Sequence, residues 1–165
     1  MAGKNAPAPA VPSLIDRLID HEPRNRAEAP NAHLHSMEAL RDSVRRHLEW
    51  LFNSRRPPLE PPDSAKELWD SVYCYGLPDI TGLALSSSDD HQKLARMLET
   101  AIASFEPRLL NPVVTVLPGL TANRVLRFQV AALLRMEPAP ARVVFDTTLE
   151  LASGAYGVGG GRHAR

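Results

Sequence analysis

Glu106, Pro107 and Arg108 place an acid and a base on either side of a proline. The proline ring fixes its own φ and restricts the residue before it. The chain must therefore leave the preceding segment in a defined direction, with both charges on a stiff corner. Held that way, they can form charge-assisted hydrogen bonds with a partner helix. The same residues also suit a helix stop with a surface ion pair that contributes little. The triplet recurs as Glu22-Pro23-Arg24. That copy lacks a helix before it and a strand after it, and reads as coincidence.

Other candidate groups carry less. His33 and His35 could begin a metal site, but a pair without a nearby third ligand is a weak signal, and exposed loop histidines are the better reading. Cys74 is the only cysteine, so no disulfide forms within the chain and a reducing compartment fits. Its aromatic neighbours favour packing over nucleophilic chemistry. Gly157 to Gly161 follows no strand and cradles no phosphate. In Tyr75-Gly76-Leu77-Pro78-Asp79, glycine and proline stand where a tight turn needs them. The turn is expected to position the helices on either side of it, and Asp79 could share in an interface.

The elements that must hold these residues follow from apolar spacing. Met37, Leu40, Val44, Leu48 and Leu51 recur every three or four residues, with Arg41, Arg45, Arg46 and Glu49 off the stripe, which predicts an amphipathic helix. A shorter helix is expected from Ser13, carrying Leu14, Ile15, Leu18 and Ile19. Another is expected from Asp63, carrying Leu68, Trp69 and Val72 and closed by Gly76. Leu94, Met97, Leu98, Ala101, Ile102 and Phe105 predict a helix that Pro107 limits. After Pro107 the period changes to two. Val113–Leu117 is β-branched; Leu126, Phe128, Val130, Ala132 and Leu134 share one face. Val143, Phe145, Thr147, Leu149 and Leu151 do the same, opposite Asp146, Thr148 and Glu150. The expected fold is α+β: N-terminal helices followed by an antiparallel three-stranded meander, with helices on one face.

The length suits one domain, read as residues 13–156 between an Ala/Pro-rich tail at 1–12 and a flexible glycine-rich tail at 157–165. The chain holds 19 basic and 19 acidic residues. That balance argues against nucleic acid as the partner and points to other proteins. The N-terminus lacks the apolar run of a secretory signal, and no stretch approaches a membrane span, so a cytoplasmic location is expected.

The stretch Arg45-Arg46-His47-Leu48-Glu49-Trp50-Leu51-Phe52-Asn53-Ser54-Arg55 resembles a helix of the TssE family of baseplate wedge subunits. Tyr75-Gly76-Leu77-Pro78-Asp79 with Gly82, Phe105-Glu106-Pro107-Arg108-Leu109, Arg127-Phe128 and Phe145-Asp146-Thr147 with Leu151-Ala152-Ser153-Gly154 resemble further segments of it. They stand in the same order and spacing, from about Ser13 to Val158. Cys74 departs from the usual Asn before Tyr-Gly, and the 57–62 connector is unusually rich in proline.

The resemblance implies a structural subunit of a type VI secretion contractile machine. Its partners would be wedge proteins of the TssF and TssG type and the TssB/TssC sheath, with TssK as a further candidate. A phage tail or another contractile particle is the alternative. Glu106, Pro107, Arg108 and Asp79 become the expected partner-binding residues, and strand addition at a sheet edge the expected sheath contact. No cofactor, metal or membrane insertion is implied. The family's lysozyme-like label raises a glycosidase, which needs two carboxyls with one pKa raised. Glu99 and Glu106 are the nearest pair, but Arg108 beside Glu106 would lower its pKa. The chain is read as a non-enzyme.

Overall fold

The structure is a computed structural model that describes residues 18, 37–83, 87–117, 125–136, 139–160 and 162–163. The stripe beginning at Met37 forms α1, Met37–Asn53, and buries Leu40, Val44, Leu48, Leu51 and Phe52. Arg55 Nη1 donates to the Phe52 carbonyl at 3.0 Å, occupying one of the acceptors left open at the helix end. Of the helix expected from Ser13 only Leu18 is described, helical and exposed; Glu22-Pro23-Arg24, His33 and His35 lie outside the described residues.

The helix expected from Asp63 is not formed. In its place stand two one-turn 3₁₀ helices, Lys66–Leu68 and Val72–Cys74. Leu68, Trp69 and Val72, the expected buried stripe, lie exposed. Ser71 explains the break. It is extended, and its hydroxyl accepts from the Tyr73 N–H at 3.2 Å while donating to the Leu68 carbonyl at 2.7 Å. A serine that competes this way for backbone groups interrupts a run already too short to sustain a helix.

Gly76 has φ +106° and lets the chain run against the end of α1. Leu77 N–H donates to the Ser54 carbonyl at 2.9 Å, and Arg56 N–H to the Leu77 carbonyl at 3.1 Å. The Tyr75–Asp79 turn is thus fastened to α1 rather than merely spacing its two neighbours. α2, Ser88–Phe105, starts at Ser87, whose hydroxyl accepts from Asp89 N–H, and buries Leu94, Leu98, Ala101 and Ile102. It runs at mid-chain, so the helices are not confined to the N-terminal part.

The sheet holds β1 (Leu109–Val116), β2 (Val125–Leu134), β3 (Ala141–Glu150), β4 (Tyr156–Val158) and β5 (Arg162–His163). β1 to β4 pair antiparallel in chain order, and β5 pairs with β3 beyond β4. The fold is α+β as expected, but the meander has four strands rather than three. The glycine-rich end, expected to fray from Gly157 on, supplies β4 and β5 instead. Alternation holds along β2 and β3, where Leu126, Phe128, Val130, Ala132 and Leu134 face inward with Val143, Phe145, Thr147 and Leu149. Phe52 of α1, Phe128 of β2 and Tyr156 of β4 meet with ring centroids 5.7–6.3 Å apart, joining helix to sheet.

Candidate functional site

The corner falls between the end of α2 and the start of β1. Glu106 N–H still closes the helix on the Ile102 carbonyl at 2.9 Å, and Leu109 N–H bonds back to the Glu106 carbonyl at 3.0 Å. Pro107 between them is exposed at the tip. The Glu106 side chain turns inward and is only 3 % exposed. Arg108 grips it with two parallel bonds, Nε to Oε1 and Nη2 to Oε2, each 2.6 Å. Such a planar fork is the strongest way to pair a carboxylate.

Arg108 also reaches across to α1. Its Nη1 donates to Ser43 Oγ at 2.9 Å, and its Nη2 lies 2.8 Å from His47 Nδ1. A guanidinium can only donate, so Nδ1 accepts and the imidazole proton sits on Nε2. His47 in turn stacks on Trp50 at 5.5 Å and 21°. Trp50 is 45 % exposed, an aromatic linked to Arg108 through His47. Burial works against a charge on Glu106, but the hydrogen bonds and positive charge of Arg108 overcome it and hold the carboxyl below its ordinary range.

The expected site residues are therefore placed differently from one another. Glu106 faces the interior, Arg108 is half-buried and spans α1, and Pro107 points outward. Asp79 belongs to a separate turn. Its carboxylate accepts from Thr81 N–H at 3.0 Å and from the Thr81 hydroxyl at 2.9 Å. Those bonds, the backbone one foremost, lower its pKa. The pairing of Glu106 with Arg108 is an internal clamp, where the sequence suggests two charges offered to a partner. Glu99, the other carboxyl weighed for acid catalysis, accepts the Val114 N–H at 2.8 Å. Glu106 is shifted downward, opposite to what a general acid needs.

Residues 38–139 match the family described as baseplate wedge protein gp25. The chain belongs to that family. No curated protein and no solved structure matches it. The family match spans α1, the corner, β1 and β2, so the clamp of this wedge-family chain lies wholly inside the matched region. Among the described residues, no helix is long and apolar enough to cross a membrane.

Ser43 and His47 were not singled out in the sequence. They stand four apart on α1, and Ser43 sits beside the apolar stripe; a serine buried there signals a bond to something distant. Asn53 was also missed. Its Nδ2 donates to the Tyr156 carbonyl and its Oδ1 accepts the Tyr156 N–H, both at 2.9 Å. Arg45 Nη1 adds a bond to the Val158 carbonyl at 3.3 Å. Asn53 thus acts as one residue of a missing neighbour strand along β4.

The opposite edge is closed by other means. β1 carries a bulge between Leu110 and Val113, with Asn111 at φ +50° and Pro112 lacking an N–H. Leu117 N–H bonds to the Arg127 carbonyl, so by alternation Val114 N–H points away from β2. Glu99 takes that N–H. Prolines, bulges and carboxylates are how proteins blunt a sheet edge. Strand addition would first have to displace Asn53 on one side or Glu99 on the other. Replacing Asn53 with Ala is expected to cost about 1–3 kcal/mol. It should also speed hydrogen exchange at the Tyr156 amide while the β2 amides stay protected. Unchanged exchange at Tyr156 would mean that Asn53 is not what closes the edge.

Proposed function

We propose that this chain is a structural subunit of the baseplate of a type VI secretion contractile machine. It joins wedge proteins of the TssF and TssG type and faces the TssB/TssC sheath, with TssK as a further neighbour. It acts by binding rather than turnover. The observation that carries this reading is the clamp inside the family-matched region. Arg108 fastens the corner to α1 through Ser43 and His47, His47 stacks on the half-exposed Trp50, and Pro107 is exposed on the corner itself. A rigid, half-exposed tryptophan is the kind of residue on which binding energy concentrates. Asp79 contributes from its own turn, where its carboxylate stays charged. The docking role thus passes from the two charges themselves to what they position.

Co-purification with TssF and TssG tests this. Wild type should form the complex, and Trp50→Ala and Pro107→Ala, with unchanged circular dichroism and melting temperature, should weaken it by about tenfold or more. If the variants bind like wild type, the corner is a brace and docking lies elsewhere. If wild type fails to bind but associates with wedge proteins of a phage tail, the contractile particle is a different one. Sustained cell-wall lysis by purified protein, lost on replacing Glu99, would overturn the non-enzymatic reading.

A further inference from the structure

The 66–74 segment and α2 enclose a cleft of about 440 Å³. Met97, Ala101 and Phe105 form one wall, and Trp69 and Cys74 face them. In and just before the same 66–74 segment, Leu59, Leu68, Val72 and Tyr73 leave large apolar surface in water, with Val72 at 89 % exposure. Leu68 and Val72, with Trp69 of the cleft, are the stripe that the sequence expects in the core. Large apolar side chains left in water in one short segment are what an interaction surface offers.

We propose that this cleft docks an amphipathic helix of another protein subunit, its apolar ridge between α2 and the 66–74 segment and its carboxylates toward Arg56 and Arg96. The shape favours a helix. The α2 wall advances from Met97 to Phe105, about 12 Å along its axis. That length suits anchors one to two turns apart on an incoming helix. Thr100, Ala101 and Ser104 are small and allow close approach.

The charges decide which helix. Arg96 lies exposed on the rim, and among the described residues its guanidinium makes no ion pair. Among the described residues, the ion pair of Arg56 is with the exposed Glu60 at 3.7 Å, a contact that a better carboxylate can replace. Asp70 on the facing rim admits one basic residue there. The cleft is also pre-formed. Tyr73 Oη donates to the Leu59 carbonyl at 3.0 Å, and four prolines between Pro57 and Pro62 stiffen the connector. Little ordering is then left to oppose binding.

The test uses the full chain and two synthetic helices with the same leucine ridge, one flanked by glutamates and one by lysines, followed by fluorescence anisotropy. The glutamate helix should bind, and Trp69→Ala should weaken it by about tenfold. Arg96→Glu should reverse the preference toward the lysine helix. Both residues are at least partly exposed, and circular dichroism checks that the variants fold. Equal binding of the two helices, or none, overturns the proposal. So does concentration-dependent self-association abolished by Trp69→Ala, which would make a second copy the occupant. Failure here leaves the co-purification test of the corner untouched.

Discussion

Replacing Arg108 with Ala should destabilise the fold by about 3–5 kcal/mol. The loss is large because the Glu106 carboxylate stays behind, buried and without its cation. The clamp also spans 65 residues of sequence from Arg108 to Ser43, so its removal loosens α1 from the start of the sheet. Urea denaturation should show a lower midpoint with an unchanged slope. Arg108→Lys keeps the charge but not the fork, and should fall between wild type and Ala. Replacing both partners at once, Glu106→Leu with Arg108→Met, should cost less than Arg108→Ala alone, because no charge is then left buried. A cost under about 1 kcal/mol for Arg108→Ala would mean that the pair behaves like a solvated surface bridge.

The same pair fixes the acid limb of stability. The folded pKa of Glu106 lies below its ordinary value, so the folded state favours the ionised form. That contribution is present in full above the unfolded pKa of about 4.3. It is lost as pH falls from there through the folded pKa. Wild type should therefore lose stability on acidification through this window, and Glu106→Gln should lose less over the same range. Equal slopes for the two would show that the ionised form of Glu106 gains nothing from folding.

The periodic parts of this fold are legible because a helix or a half-buried strand writes its period into the sequence. Leu40, Val44, Leu48 and Leu51 announce α1, and Phe128, Val130, Phe145 and Leu149 announce the inner face of the sheet. The 66–74 stretch also has helical spacing, but Ser71 captures backbone groups locally, and an average over the window does not register one serine. β4 is three residues long with a glycine in the middle, too short for alternation to stand out, although Tyr156 and Val158 do alternate around Gly157.

The corner is the instructive case for the site. Pro107 dictates that the chain turns, and nothing local dictates which way Glu106 faces. That choice is made by Ser43 and His47, whose place opposite Arg108 exists only after α1 has packed. Burial of Tyr156 is set the same way, by Phe52 and Phe128. It pushes the phenol up to about 12 against the opposing pull of Arg55, whose guanidinium lies 5.9 Å over the ring.

Gly76→Ala should be nearly as damaging as loss of the clamp, for a different reason. A methyl group there would lie 2.5 Å from the Ser54 carbonyl oxygen and 2.7 Å from its carbon, both backbone atoms at the end of α1. The residue also sits at φ +106°, a conformation that costs an L side chain about 1–3 kcal/mol. Relieving the clash means moving the turn off α1, which gives up the Leu77-to-Ser54 and Arg56-to-Leu77 bonds. The combined cost is expected to be about 3–5 kcal/mol. Gly82→Ala is the control, since nothing lies within 4 Å of its added methyl, and its effect should stay within about 0.5 kcal/mol. Hydrogen exchange separates the causes. If the turn is pried from the helix, the Leu77 and Arg56 amides should lose protection while those of β2 and β3 keep theirs. Equal midpoints for the two alanine variants would mean that the turn yields easily and that α1 does not depend on it. In that case the Tyr75–Asp79 segment could shift, together with Asp79, without disturbing the clamp at Glu106 and Arg108.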